Sequence, residues 1–286
     1  MEHLLAAESI PTLVLALILG AVIGSFLNVV ISRLPIQLQR QWQRECAEMN
    51  GTPLKELDHF SIAVPGSHCP ECKASIAWYD NIPLLSYLVL RARCRHCQTH
   101  IPLTYWLVEL ISCLAFGLVA WHFDFSLPAL VYVTVFSLLI CLFVIDWNHQ
   151  LLPDQLTYPL LWIALLWSLS PTSELSPDSA IIGAVAGYLS LWSIYWAFKL
   201  VTGKEGMGYG DFKLLAAITA FTGATLLPVT ILASSVCGAI VGLVMIRGKS
   251  RSQPIPFGPF LIGGGILSYF FGTDLLFSYW RWLGGV

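Results

Sequence analysis

The chain has 286 residues, of which 56% are hydrophobic and only 11% charged, and its mean hydropathy is +0.71. A soluble domain carries roughly a quarter charged residues, so a soluble globular protein is excluded. The formal net charge is −2; a lipid bilayer is the expected surrounding, and no nucleic-acid partner is expected.

A helix crosses a bilayer with about 20 apolar residues, and residues 10–31 form the first such run. Glu2 and Glu8 precede it where a signal peptide would carry basic residues, so a retained helix is expected. Within it, Gly20 and Gly24 make a small-xxx-small pair that favours close helix packing. Residues 33–101 are polar and long for a connector, which marks a functional or separately folded segment. Inside them, 37–58 reads as a polar helix or mobile segment, and 82–90 is apolar but too short to span. Further apolar runs occupy 103–121, 127–145, 156–169, 180–201, 212–246 and 257–277. The run 212–246 is too long for one span, and Thr222-Gly223 followed by Pro228 divides it. The expected fold is an all-α polytopic membrane protein with about eight transmembrane helices and a small cytoplasmic zinc-binding loop module. Its parts are a first helix (1–32), a cytoplasmic tetracysteine module (33–101) and a transmembrane helical bundle (102–286).

Charge sets the expected orientation. With eight alternating helices, fourteen of the fifteen Lys and Arg fall on one side, and Arg281 alone falls opposite. The positive-inside tendency puts that side in the cytoplasm and both termini outside.

Cys69-x-x-Cys72 and Cys94-x-x-Cys97 match the spacing of a structural zinc site. Two thiolates on each tight turn can reach one tetrahedral ion at about 2.3 Å. Four protein ligands leave no open position, so the zinc is expected to be structural. A reducing cytoplasm argues against disulfides. Cys113, Cys141 and Cys237 lie in apolar runs and read as small buried hydrophobes, while Cys46 has no assignment.

Three carboxylates stand at the ends of apolar runs: Asp146, Asp154 and Asp211. Asp154, just before a helix, reads as an N-cap. Asp146 closes the run FSLLICLFVID, where an acid opposes the helix macrodipole, an unfavourable placement that suggests function. Asp211 follows Gly206, Gly208 and Gly210 at alternating positions, more glycine than a cap requires. Such glycines would let a substrate backbone approach. Two carboxylates in one partly dehydrated site titrate apart, so one holds a proton while the other activates water. From the helix ends alone, Asp146 is expected to keep the proton and Asp211 to ionise.

Taken together, GSFLNVVISRLP (24–35), CPEC (69–72), NIPLLSYL (81–88), CRHC (94–97), IDWNHQLLPD (145–154), GMGYGD (206–211) and PFGPFL (256–261) resemble the type IV prepilin peptidases. The stretches occur in that family's order and cover nearly the whole chain. Trp106 is a departure, standing where the family often has Pro. The resemblance implies a bacterial inner-membrane enzyme with its active site facing the cytoplasm. Asp146 and Asp211 would be its catalytic acids, and prepilins and pseudopilins of type IV pilus and type II secretion systems its substrates. It would cleave a basic leader after glycine, then methylate the new N-terminal residue with S-adenosylmethionine. No residues for the methyl donor are read from the sequence, and Glu109 is either a core polar contact or part of that site. A transporter with an acidic proton relay would place its acids near the bilayer midplane, not at one edge. A scaffold organised by the zinc module would need neither GMGYGD nor paired acids. A presenilin-like protease without methyl transfer would lack the four cysteines.

Overall fold

The computed structural model describes residues 2–51, 60–248 and 255–282. Lys55, Lys249 and Arg251, used in the charge argument, and residues 52–58 of the expected 37–58 segment lie outside the described residues.

Among the described residues nine α-helices form in order: α1 Glu2–Met49, α2 Leu85–Val89, α3 Leu103–Phe123, α4 Leu127–His149, α5 Asp154–Trp167, α6 Pro177–Thr202, α7 Tyr209–Thr222, α8 Leu227–Gly248 and α9 Gly258–Trp282. All but the five-residue α2 are the apolar helices expected from the sequence. Six are long and apolar enough to cross a membrane. α5 and α7 have 14 residues each. At about 1.5 Å per residue each falls short of the roughly 30 Å hydrocarbon core. The first helix also continues through Pro35 to Met49, so no separate polar segment begins at 37.

The chain divides into two compact units, residues 1–141 and 142–286. In the first, α1 packs along α3, and the two glycines of α1 set the approach. A Cβ on Gly20 would lie 2.7 Å from Phe116 Cβ, and one on Gly24 2.7 Å from Glu109 Cα. Backbones this close gain dispersion contacts, which drive helix association where lipid is as apolar as the helix.

In the second unit α7 is central, packed on by α5, α6 and α9, and α8 packs on α9. Phe212, Leu214, Leu215 and Ala217 have no exposed surface. Being enclosed by protein, α7 does not need the length of a lipid-facing span. It stops at Thr222 because Gly223 adopts φ +81°, a value that costs glycine nothing. A short 3-10 turn, Ala224–Leu226, leads into α8, with Pro228 in its first turn. The buried hydroxyls of Thr157, Thr219, Thr230 and Ser234 each donate to the carbonyl four residues back in the same chain, which satisfies them without water.

The glycine contact can be tested. Gly20→Val should lower unfolding stability by about 1–3 kcal/mol through overpacking, read as an earlier midpoint in detergent-solubilised thermal unfolding. Gly263→Ala, where a Cβ meets nothing within 4 Å, should leave that midpoint unchanged or slightly raised.

Candidate active site and metal centre

Asp146 occupies the last turn of α4 and Asp211 the first turn of α7. Both are buried, with 5% and 8% of their surface exposed. Asp146 Oδ2 accepts a hydrogen bond from the Gly258 backbone N–H at 2.9 Å. The two carboxylates lie near enough for their charges to repel.

Glycine at 258 is required by this contact, since a Cβ there would stand 2.6 Å from Asp146 Oδ2 and 3.3 Å from Leu152 Cδ2. Leu152 also meets the start of α7, because a Cβ on Gly210 would lie 2.8 Å from Leu152 Cβ. Leu152 is therefore wedged between the beginnings of α7 and α9, beside both acids. The three glycines before Asp211 have separate surroundings. Gly206 lies against the Phe198 ring and Gly210 against Leu152, while a Cβ on Gly208 would be 3.8 Å from Asp211 Oδ2. Gly206 and Gly208 are exposed, and of these Gly208 is the one beside the acid.

Asp154 is not an N-cap. Pro153 holds that position and no side chain caps the helix. Asp154 grips Lys213 of α7 with both oxygens, at 2.7 and 2.9 Å, and so ties α5 to α7 two residues beyond Asp211. The PFGPF stretch was visible as a motif, but nothing in the sequence showed that the Gly258 N–H would turn toward Asp146. A glycine followed by proline at a helix start was the available signal.

In the first unit the four Sγ atoms of Cys69, Cys72, Cys94 and Cys97 lie within 4.8 Å of one another, a group that could hold a metal ion. Cys69 and Cys97 are 3.7 Å apart, close to the ~3.8 Å edge of a tetrahedron with 2.3 Å metal–sulfur bonds. The two turns are built alike. Cys69 N bonds Ala74 O and Lys73 N bonds Cys69 O, while Cys94 N bonds Thr99 O and Gln98 N bonds Cys94 O. Each is closed by a short bridge, His68 with Ser75 and Arg93 with His100. Lys73 and Gln98, at matching places, both take φ +59°. Hydrogen bonds at Thr99 push the Cys97 thiol down to about 6. At Cys72, despite a backbone hydrogen bond at Ala74, burial and the other three thiols push it up to about 11. Four thiols this close cannot all ionise against mutual repulsion unless a cation replaces their protons. A bidentate ion pair, Arg95 to Asp80 at 2.6 and 2.7 Å, ties the second turn to the 3-10 helix Trp78–Asn81.

Residues 18–123 match the Bacterial Peptidase A24 N-terminal domain, and residues 133–243 match the Type IV leader peptidase family. Three full-length relatives are each named prepilin leader peptidase/N-methyltransferase. That of Pseudomonas putida is 46% identical over 98% of both chains. That of Stutzerimonas stutzeri is 48% identical over 96% of both. That of Pseudomonas aeruginosa is 44% identical over 98% of this chain and 97% of its own. No solved structure matches the chain. With such identity sustained from end to end, and with the paired acids and paired Cys-x-x-Cys turns in place, the chain belongs to the type IV leader peptidase family.

Proposed function

We propose that Asp146 and Asp211 are the catalytic acids with which this multi-pass membrane protein cleaves prepilin leaders, before it N-methylates the cleaved product. The observation that carries this reading is the pair itself: two buried carboxylates in electrostatic contact, one of them held by a backbone amide. Such a pair shares a proton. One carboxylate takes a proton from water as its oxygen attacks the scissile carbonyl, and the other supplies a proton to the carbonyl oxygen. Amide cleavage then returns the pair to its starting state. The Gly258 N–H fixes the oxygen and plane of Asp146 for this step. Helix ends alone would put the proton on Asp146, but the Gly258 amide also acts on that acid, and the shared proton belongs to the pair. Gly208, open beside Asp211, supports an extended substrate strand at that acid.

The substrates are prepilins and pseudopilins with basic leaders cut after glycine, the methyl donor is S-adenosylmethionine, and the acids face the cytoplasm. The distribution of Lys and Arg supports that orientation. Zinc fits the four cysteines, since thiolates on two paired turns favour that ion, and with all four positions filled its role is structural. A presenilin-like protease without methyl transfer is disfavoured by the cysteine group and by relatives of 44% and 48% identity across nearly the whole chain.

The cleavage reading is tested by incubating the purified protein with a synthetic prepilin, with and without S-adenosylmethionine, and weighing the products by mass spectrometry. Asp146→Asn and Asp211→Asn should each abolish cleavage in protein that still folds, and the double variant should be no worse than either single one. If both single variants cleave normally, the aspartyl mechanism is wrong. Gly258→Ala should cut kcat by at least tenfold, because the methyl group displaces the Asp146 carboxylate. Metal analysis should give about one zinc per chain, and Cys97→Ser should lower that content together with the melting point of the first unit.

A further inference from the structure

The peptidase reading uses residues of 142–286 only and leaves the methyl donor without a site. Residues 1–141 enclose a cavity of about 510 Å³, walled by α1, α2, the start of α3 and the cysteine turns. That volume lies within the roughly 300–1,000 Å³ of small-molecule sites. On α1 its wall is a polar stripe of Ser25, Asn28 and Ser32, spaced three and four residues apart and so on one helix face.

On α3 the wall carries Glu109. Its Oε2 accepts the Leu84 N–H at 2.8 Å, and Ser25 hydrogen-bonds the same carboxylate. Leu84 makes its bond from φ +62°, ψ −48°, a conformation that disfavours leucine and that persists where the surroundings impose it. No ion pair is made by Glu109 among the described residues, although a carboxylate within an apolar helix ordinarily takes a cation. Close by, the rings of Tyr87 and Trp106 are 6.3 Å apart, and the buried Trp106 Nε1 has no hydrogen-bond partner among the described residues. An anion without its cation, two aromatic faces and an unused N–H donor are together complementary to an organic cation that carries acceptor atoms. A sulfonium attached to adenosine is such a ligand, with a fixed charge and with ring and ribose acceptors.

We propose that this cavity is the S-adenosylmethionine site, with Glu109 and the Tyr87 and Trp106 rings facing the sulfonium and Trp106 Nε1 donating to the adenosyl group. The inference rests on the methyl-transfer half of the proposed function. Transfer breaks the S–CH3 bond and forms an N–CH3 bond at the freed amine, whose proton leaves to water. In the by-product, S-adenosylhomocysteine, the sulfonium has become a neutral thioether, so Glu109 faces a charge at sulfur in the donor that the by-product lacks.

The full-length protein in detergent is irradiated with radiolabelled S-adenosylmethionine and the labelled peptides are mapped. Label on 25–36 or 84–109 is expected; label confined to 142–286 overturns the site while leaving methyl transfer standing. Equilibrium binding of S-adenosylmethionine and S-adenosylhomocysteine is measured beside it. Glu109→Gln should weaken the donor by roughly tenfold or more, as loss of a charge-assisted contact does. It should weaken the by-product far less, so the preference between the two collapses. An unchanged preference in folded Glu109→Gln protein overturns the assignment, and the peptide map on unaltered protein decides the matter if that variant does not fold. Should the unaltered protein neither bind the donor nor yield methylated product, the methyl-transfer reading falls with the site.

Discussion

Carboxylates persist inside an apolar helical bundle only where polar groups are turned toward them, and at Asp146 that group, among the described residues, is the Gly258 N–H. Much of the second unit can be read as the means of presenting it. The amide is available because α9 begins there and its first N–H groups have no intrahelical partner. It can come within 2.9 Å only because residue 258 lacks a side chain. Leu152 fills the space between the starts of α7 and α9, so the segment linking α4 to α5 fixes the spacing of the elements that carry the acids. The geometry of the pair is thus set by packing, which resists small displacement because interiors are filled at crystal-like density.

Charge near the pair is managed by the same elements. Lys213 lies two residues beyond Asp211, and a free ammonium would favour ionisation of any acid it approached. Asp154 engages it with both oxygens, and residues two apart on a helix do not face each other. The pair is half open to water, Asp154 keeping 47% of its side chain exposed, so its worth to stability is small. Its weight lies in giving the ammonium a partner other than the buried pair Asp146 and Asp211.

Composition and hydropathy were sufficient to read the eight apolar helices, and motif spacing the cysteine group, because each depends on local pattern. The division of 212–246 was legible for the same reason, through Gly223 and Pro228. Helix length was less so: the 14 residues of α5 and α7 are apolar enough to suggest spans, and only tertiary enclosure explains why α7 can be short. Asp154 reads as a cap from its neighbours in sequence, and its true partner lies 59 residues away. The Gly258 amide reaches across 112 residues, and Glu109 meets Leu84 across 25. Contacts of this separation leave no periodic trace in the chain, which is why the acids were visible and the groups that hold them were not.

The two activities ask opposite things of their carboxylates. Hydrolysis by the proposed mechanism needs a pair that shares a proton, and the second unit buries two acids together. Methyl transfer needs an amine that has lost its proton, yet a Glu109 without an ion-pair partner would attract an ammonium and keep it protonated and inert. A site built around that residue works only if the cation beside Glu109 is the donor itself. The sulfonium charge cannot be lost to solvent, so it satisfies the carboxylate at any pH, and the amine that arrives afterwards meets a neutralised pocket. The amine exists only once the leader is cut, so chemistry already makes the acceptor the later arrival. In the proposed site, donor first and amine second is therefore the order that the electrostatics of Glu109 favour.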